Sequence, residues 1–333
     1  MPTEAGQHKL LKQVLVYVTA VGCLVWVFHG TDFEQLKQNL GRMNWAYFGL
    51  AAAFNASVYL SNAWRWKELL LPVVRVTYGR TLQAIYVGLF LNEVLPLRPG
   101  ELVRCGVLAR RTPELRFTTA LSSITIERLA EALILQFAFI IVVLFRPVPR
   151  SLMIACAVMT VAVGAAVTFL FVEVRRSRSH LISRPAGRMV EAWRRFVQGI
   201  HAMIEIRPVI AVAILSVAAL LLNILAAWAL LQSCGISLPF SAAAAVLIII
   251  RVGTAIPITP GSVGAYQFFA VLALRIFGVG GTAAATFTVV AFAAYTIPLL
   301  IGGAIAFAFA GSKYSELVSF RTRYSEPDNQ TAG

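Results

Sequence analysis

Between residues 92 and 131 the chain sets Asn92, Glu93, Arg98, Glu101, Arg104, Glu127, Arg128 and Glu131 inside or beside long apolar runs. A charge held in hydrocarbon costs about 2.5–3.5 kcal/mol on insertion scales, so such groups are paired or face a cavity. Glu127 and Glu131 are four residues apart and share a helix face, with Arg128 beside them. Arg251 is the comparable charge later in the chain. Guanidinium groups grip phosphate through parallel hydrogen bonds, and carboxylates hold such arginines in place. The pattern predicts a mixed acidic and basic cavity for a phosphate-bearing group. The plainer alternative is a set of ion pairs, Arg98 with Glu101 and Glu127 with Arg128, that only pin helices together.

The elements that must hold these residues are membrane helices. Of 333 residues, 59% are hydrophobic and 13% charged, against roughly 25% charged in an average soluble domain. Six runs approach or exceed the roughly 20 residues a helix needs to cross hydrocarbon; they lie near 10–28, 46–64, 120–145, 151–172, 209–231 and 283–310. The two-residue alternation of a barrel wall is missing from them. The first run follows Lys9 and Lys12 as a secretion signal would, but it has the length of a full span and no small-residue cleavage site after it. Cys23, Cys105, Cys156 and Cys234 are scattered singly, which fits neither a zinc site nor a disulfide framework.

Two amphipathic pieces accompany the spans. Thr31 and Glu34 have capping-box spacing ahead of a stripe of Phe33, Leu36, Leu40 and Met43. From 173 to 207, eight basic residues face three acidic ones, so this connection is cytoplasmic by the positive-inside rule. Within it, about 185–206, Met189, Trp193, Phe196, Ile200 and Met203 form one stripe, predicting an interfacial helix on anionic lipid.

An internal repeat appears at an offset of 161 residues, where LPLRPGE (95–101) meets IPITPGS (256–262). Pro96 aligns with Pro257, Pro99 with Pro260 and Gly100 with Gly261. Two prolines and a glycine end a helix. At membrane depth, broken backbone survives only where protein or a water-filled cavity covers it, so each motif is expected at the tip of a re-entrant hairpin. New helices are expected just after Gly100 and Gly261, their free amide donors turned toward anions. Arg65, Lys67, Arg75 and Arg80 precede the first hairpin and Arg110, Arg111 and Arg116 follow it, which puts both its ends in the cytoplasm. The second lies between uncharged loops, 232–240 and 278–282, and points the other way. Three spans separate the two, so the repeats are inverted, as in many transporters. The expected architecture is an all-α polytopic membrane protein: about six transmembrane helices plus two re-entrant hairpins. It forms one membrane domain over 1–311, with repeats near 46–145 and 209–310, followed by a short polar cytoplasmic tail over 312–333. Ordinary proline-kinked spans, giving eight crossings, are the alternative.

Three stretches carry a family resemblance: LNEVLPLRPGELVR at 91–104, ITIERLAEALIL at 124–135 and AIPITPGSVGAYQ at 255–267. Together they resemble the flippase-like proteins related to the transmembrane region of lysylphosphatidylglycerol synthases, over nearly the whole chain. The resemblance implies translocation of a polar lipid between leaflets. It singles out Asn92, Pro96, Arg98, Gly100, Glu101, Arg104, Glu127, Arg128, Pro257, Pro260, Gly261 and Gly264. Glu131 stands where an aspartate is more usual, and no aminoacyltransferase region follows residue 311, so aminoacyl-lipid synthesis is not implied.

The function expected is therefore flipping of a polar, phosphate-bearing lipid, an anionic phospholipid, glycolipid or polyprenyl-phosphate lipid, through a cavity between the hairpins of a plasma (inner) membrane protein with both termini cytoplasmic. No enzymatic activity, cofactor, metal or nucleic acid is expected, and a homo-oligomer is left open. No GxxxxGK[ST] loop is present for ATP hydrolysis; coupling to ions or protons would run through Glu93, Glu127 or Glu131. One rival is an intramembrane lipid- or peptide-modifying enzyme such as a headgroup transferase, but His8, His29, His180 and His201 all fall outside the apolar runs. Ser262 in GSVG reads as a helix start rather than a nucleophile. A non-transporting membrane scaffold is the other rival.

Overall fold

A computed structural model of the chain describes residues 21–29, 31–95, 99–145, 150–179, 188–204, 206–255 and 262–309. Among these residues all regular structure is helical. Helix α1 covers 21–28, followed by α2 (Phe33–Gly41), α3 (Trp45–Leu70), α4 (Tyr78–Val94), α5 (Gly100–Arg111) and α6 (Phe117–Phe145). The second half comprises α7 (Arg150–Ser179), α8 (Arg188–Met203), α9 (Ile206–Ser233), α10 (Phe240–Gly253), α11 (Ala265–Ile276) and α12 (Gly281–Phe309). Three segments are long and apolar enough to cross a membrane by length and composition: Cys156–Arg175, Arg207–Ser233 and Gly281–Phe309. Helices α3 and α6, with 26 and 29 residues, match them in length but carry charges inside. Large apolar side chains such as Val161 on α7, Ile214 on α9 and Ile301 on α12 are exposed, as befits helices that face lipid. The chain is an integral membrane protein.

Local chemistry sets the helix ends. Asn44 caps α3, its Oδ1 accepting from Ala46 N at 3.0 Å and Tyr47 N at 3.4 Å. The cap of α2 is Asp32, which accepts from Glu34 N at 3.0 Å and Gln35 N at 3.1 Å. This corrects the Thr31 assignment: the Thr31 hydroxyl donates back to Val27 O at 3.3 Å instead. Leu95 is extended, φ −103° and ψ 140°, as a residue before proline must be, and α4 stops there. Pro99 caps α5, which starts at Gly100 as predicted. Helix α11 starts later than predicted, at Ala265, because a turn with Ser262 at φ 56° and Gly264 at φ 83° intervenes. Gly264 N donates to Gln267 Oε1 at 2.7 Å there. Pro96, Arg98, Pro257, Pro260 and Gly261 lie outside the described residues.

Helices α4 and α5 run back along one another. An added Cβ on Gly100 would lie 1.8 Å from Gly88 O, so the two backbones touch near the break. At the far end Arg111 Nη1 donates to Gln83 Oε1. These open ends also meet α12, where Gln83 Nε2 donates to Ala306 O at 3.0 Å and Arg111 Nη2 to Phe309 O at 3.1 Å. Helices α10 and α11 are likewise in contact.

The two halves correspond helix by helix. Lengths of 26, 17, 12 and 29 residues for α3 to α6 recur as 28, 14, 12 and 29 for α9 to α12. Contacts recur as well: α3 on α4 as α9 on α10, α5 on α6 as α11 on α12, α6 on α10 as α12 on α4. Even α2 against α12 has its match in α8 against α6, which extends the correspondence beyond the predicted bounds of 46–145 and 209–310. Helices α3 and α9 are antiparallel: Asn44 N donates to Ser233 O at 2.9 Å, Tyr47 faces Trp228 at 6.0 Å, and Ser61 Oγ reaches Leu215 O at 3.4 Å. One apolar core, including Leu69, Ile85 and Leu108, fills the first half, and another, including Ile249, Leu274 and Phe287, fills the second.

Helix α8 divides its apolar stripe. Ile200 and Met203 are buried together with Val197, while Met189 and Trp193 stay exposed. Phe196 O accepts from Ser122 Oγ of α6 at 2.8 Å. The predicted interfacial face is therefore half protein contact, leaving the first turns of α8 open.

Candidate functional site

The long charged helix α6 and the short helix α5 meet beside α3, and their ionisable groups close into a ring of alternating sign. Arg65 Nη2 lies 2.6 Å from Glu127 Oε1, and Glu127 Oε2 lies 2.6 Å from Arg104 Nη2. Arg104 continues to Glu101 at 2.8 Å, Glu101 to Arg128 at 2.7 Å, and Arg128 to Glu131 at 2.6 Å. Glu131 returns to Arg65. Three guanidinium groups thus face three carboxylates, and the ring is neutral as a whole. Arg65 and Glu127 are each 1% exposed and Arg104 5%, whereas the Arg128 side chain is 50% exposed. The ring has a sealed edge and an open one.

Neighbours fix the sealed edge. Arg65 Nη1 donates to Ser216 Oγ of α9 at 2.9 Å, and the Arg104 guanidinium sits 4.9 Å over the Trp66 ring. Trp66 Nε1 donates to Ser123 Oγ at 2.8 Å. Isolated charges could not stay in this setting; matched ones with further hydrogen bonds can.

The predicted residues take distinct places. Glu101, Arg104, Glu127, Arg128 and Glu131 come together, but in another pairing: Glu127 bonds Arg65 and Arg104 rather than Arg128. Arg65 was expected as a cytoplasmic flank and instead forms part of the ring. Its signal was in the sequence, since Ala51, Asn55, Val58, Arg65 and Leu69 fall on one buried stripe of α3. Asn92 closes the start of α5, its Oδ1 accepting from Gly100 N at 2.7 Å. That amide is therefore occupied by the chain itself, contrary to the free donor expected there. Gly88, which no motif marked, provides the close approach to Gly100. Glu93 is half-buried in the last turn of α4, and Arg251 is exposed in the last turn of α10. Arg251 stands apart from the ring, its Nη2 donating to Asn223 Oδ1 at 2.7 Å.

A cavity of about 30 Å³ lies against the ring, lined by Asn62, Gly88, Asn92, Arg104, Glu127 and Arg128 among others. It has room for a water molecule and not for a lipid headgroup. A larger open recess of about 500 Å³ lies beside α1, bordered by Val25, Trp26, His29 and Arg275. Among the described residues no group of three or more His, Cys, Asp or Glu side chains could hold a metal ion, and all four cysteines are free thiols.

Comparison with known proteins agrees with the motifs. No curated protein matches the chain. The sequence profile described as the lysylphosphatidylglycerol synthase TM region matches residues 12–303, a range that takes in both short-helix pairs, the charge ring and Arg251. The chain belongs to the family of the lysylphosphatidylglycerol synthase transmembrane region.

Proposed function

We propose that the protein moves a phosphate-bearing lipid between membrane leaflets without altering it chemically. The observation that carries this reading is a duplicated helix order in which antiparallel α3 and α9 lie at the centre and each half supplies a pair of short helices. At about 1.5 Å per residue, α4, α5, α10 and α11 measure roughly 25, 18, 21 and 18 Å, all short of the roughly 30 Å hydrocarbon thickness. Paired short helices of that length suit re-entrant hairpins better than spans. With the run expected near 10–28, of which α1 is the described part, and α3, α6, α7, α9 and α12 as crossings, both termini share one side, the cytoplasm, and the two hairpins enter from opposite sides. Such an arrangement supports alternating access around a site at mid-depth.

In this reading the headgroup crosses among the polar groups of the bundle while its tails stay in lipid, which removes most of the cost of dehydrating it in hydrocarbon. The tight cavity beside the ring corresponds to a closed state, and Glu101, Arg128 and Glu131 on the open edge are the groups a headgroup would meet first. The substrate is an anionic phospholipid, a glycolipid or a polyprenyl-phosphate lipid, and the protein acts as a carrier rather than an enzyme, in the plasma (inner) membrane.

Reconstitution tests this directly. The full chain is placed in vesicles carrying fluorescent phosphatidylglycerol, and dithionite reports the fraction reachable from outside. Accelerated loss of the protected signal, with lipid recovered unchanged by chromatography, is expected. Vesicles with protein that behave like empty ones would sink the carrier reading, and a chemically converted lipid would favour a headgroup transferase.

A further inference from the structure

The ring spends its three guanidinium charges on its own carboxylates, so an anion partner must be met by cations outside it, among them Arg251 of the apolar helix α10. Among the described residues Arg251 forms no ion pair. Its one hydrogen bond is to Asn223, which is fixed in turn by donating Nδ2 to Ala219 O at 2.7 Å. Two pairs of tyrosines stand nearby. Tyr59 of α3 and Tyr86 of α4 meet edge to face at 5.6 Å, and Tyr266 of α11 and Tyr295 of α12 do so at 6.3 Å. The Arg251 charge reaches Tyr59, Tyr266 and Tyr295. Tyr59 Oη accepts from Asn55 Nδ2 at 3.3 Å, which leaves its own proton to donate. Six helices, α3 and α4 from the first half and α9 to α12 from the second, thus contribute side chains around one exposed guanidinium.

We propose that Arg251, with Asn223 and the tyrosines Tyr59, Tyr86, Tyr266 and Tyr295, is the receptor for the phosphodiester of a lipid headgroup, and that the sealed edge of the ring, Arg65, Arg104 and Glu127, is a structural clasp. A single guanidinium matches the single negative charge of a phosphodiester better than the double charge of a terminal phosphate. Guanidinium nitrogens offer two parallel donors to phosphate oxygens. Phenolic hydroxyls bond further oxygens, and the ring faces cover the carbon skeleton of a glycerol or sugar. Because the tyrosines come from both halves of the bundle, occupancy would join the halves through the ligand.

The proposal depends on the carrier reading only in taking a lipid as the source of the phosphodiester, and its test reads binding rather than movement. The purified full chain in detergent is titrated with dioctanoyl phosphatidylglycerol, with dioctanoylglycerol as the phosphate-free comparison and inorganic phosphate as competitor, and adducts are read by native mass spectrometry. Arg251→Gln is expected to weaken phosphatidylglycerol binding about 10-fold or more, the usual effect of losing a charged hydrogen bond. Dioctanoylglycerol binding should not change, and inorganic phosphate should not displace the lipid. Tyr59→Phe and Tyr266→Phe, each lacking one hydroxyl oxygen, should each weaken binding about 2- to 10-fold and serve as the test if Arg251→Gln fails to fold. Wild type that binds no phosphatidylglycerol, equal affinity of wild type and Arg251→Gln, or unchanged affinity of both tyrosine variants overturns the proposal. Displacement by phosphate alone overturns it too, because the ligand is then a free anion. If the wild type binds through Arg251 yet moves no lipid, only the carrier reading fails.

Discussion

In a closed ring of six charges, the value of each group depends on the other five. Glu127 touches two arginines at 2.6 Å each and is sealed from solvent. Replacing it by glutamine leaves three guanidinium groups against two carboxylates in a dry setting, and removal of one partner from such a pair typically costs about 3–5 kcal/mol. Thermal unfolding in detergent should show a large loss of stability for Glu127→Gln. Arg128→Gln, on the half-exposed edge, should cost about 1 kcal/mol or less. Adding Arg65→Met to Glu127→Gln restores two charges of each sign and should recover part of the loss, because contacting charges are not additive. Equal losses for the sealed and open edges, with no recovery in the double variant, would show that the ring does not act as a unit. Five ring members were legible from the sequence because charge inside an apolar run needs an explanation. Their pairing was not, since Arg65 and Glu127 are 62 residues apart and only the docking of α3 on α6 decides it.

Among the elements, the most constrained contact is the one between α4 and α5. A methyl group on Gly100 would meet Gly88 O at 1.8 Å and Asn92 Oδ1 at 2.6 Å, and the nearer obstruction is backbone, which cannot rotate away. Overpacking of this kind typically costs about 1–3 kcal/mol or more. Gly79, in the first turn of α4, has nothing within 4 Å of its added Cβ. The paired expectation is that Gly100→Ala lowers the yield of monodisperse protein from membranes, whereas Gly79→Ala matches wild type or gains up to about 1 kcal/mol from the better helix former. Size-exclusion profiles and thermal midpoints of the two variants check this, and a well-behaved Gly100→Ala would mean that the two helices do not meet so closely. The break itself could be read from Pro96, Pro99 and Gly100, since proline chemistry acts locally. The Gly88 partner could not, because a small residue in an apolar helix gives no hint of what crosses it. The start of α11 was misplaced for a similar reason: Ser262 and Gly264 adopt left-handed conformations that prolong the turn.

Across the whole molecule, the carrier reading requires the two halves to point in opposite directions through the bilayer. Helices α2 and α8 offer the sharpest check, since each precedes the central helix of its own half and rests on the last helix of the other. If α3 and α9 cross antiparallel, their starting ends lie on opposite sides, and so do the amphipathic helices leading into them. The positive charge around α8 is the reason to expect it in the cytoplasm, and the carrier reading then puts α2 outside. The four native cysteines are free and can be replaced by serine or alanine, with one new cysteine introduced at exposed Gln38 of α2 or exposed Arg194 of α8. In intact cells a membrane-impermeant maleimide should label Gln38→Cys and spare Arg194→Cys, and in inverted membrane vesicles the order should reverse. The repeat at an offset of 161 residues pointed to this arrangement, yet its extension to α2 and α8 did not show in sequence, because amphipathic helices keep their pattern and not their residues. Labelling of both positions from the same face would leave the halves parallel and would remove the inverted symmetry on which this carrier reading is argued.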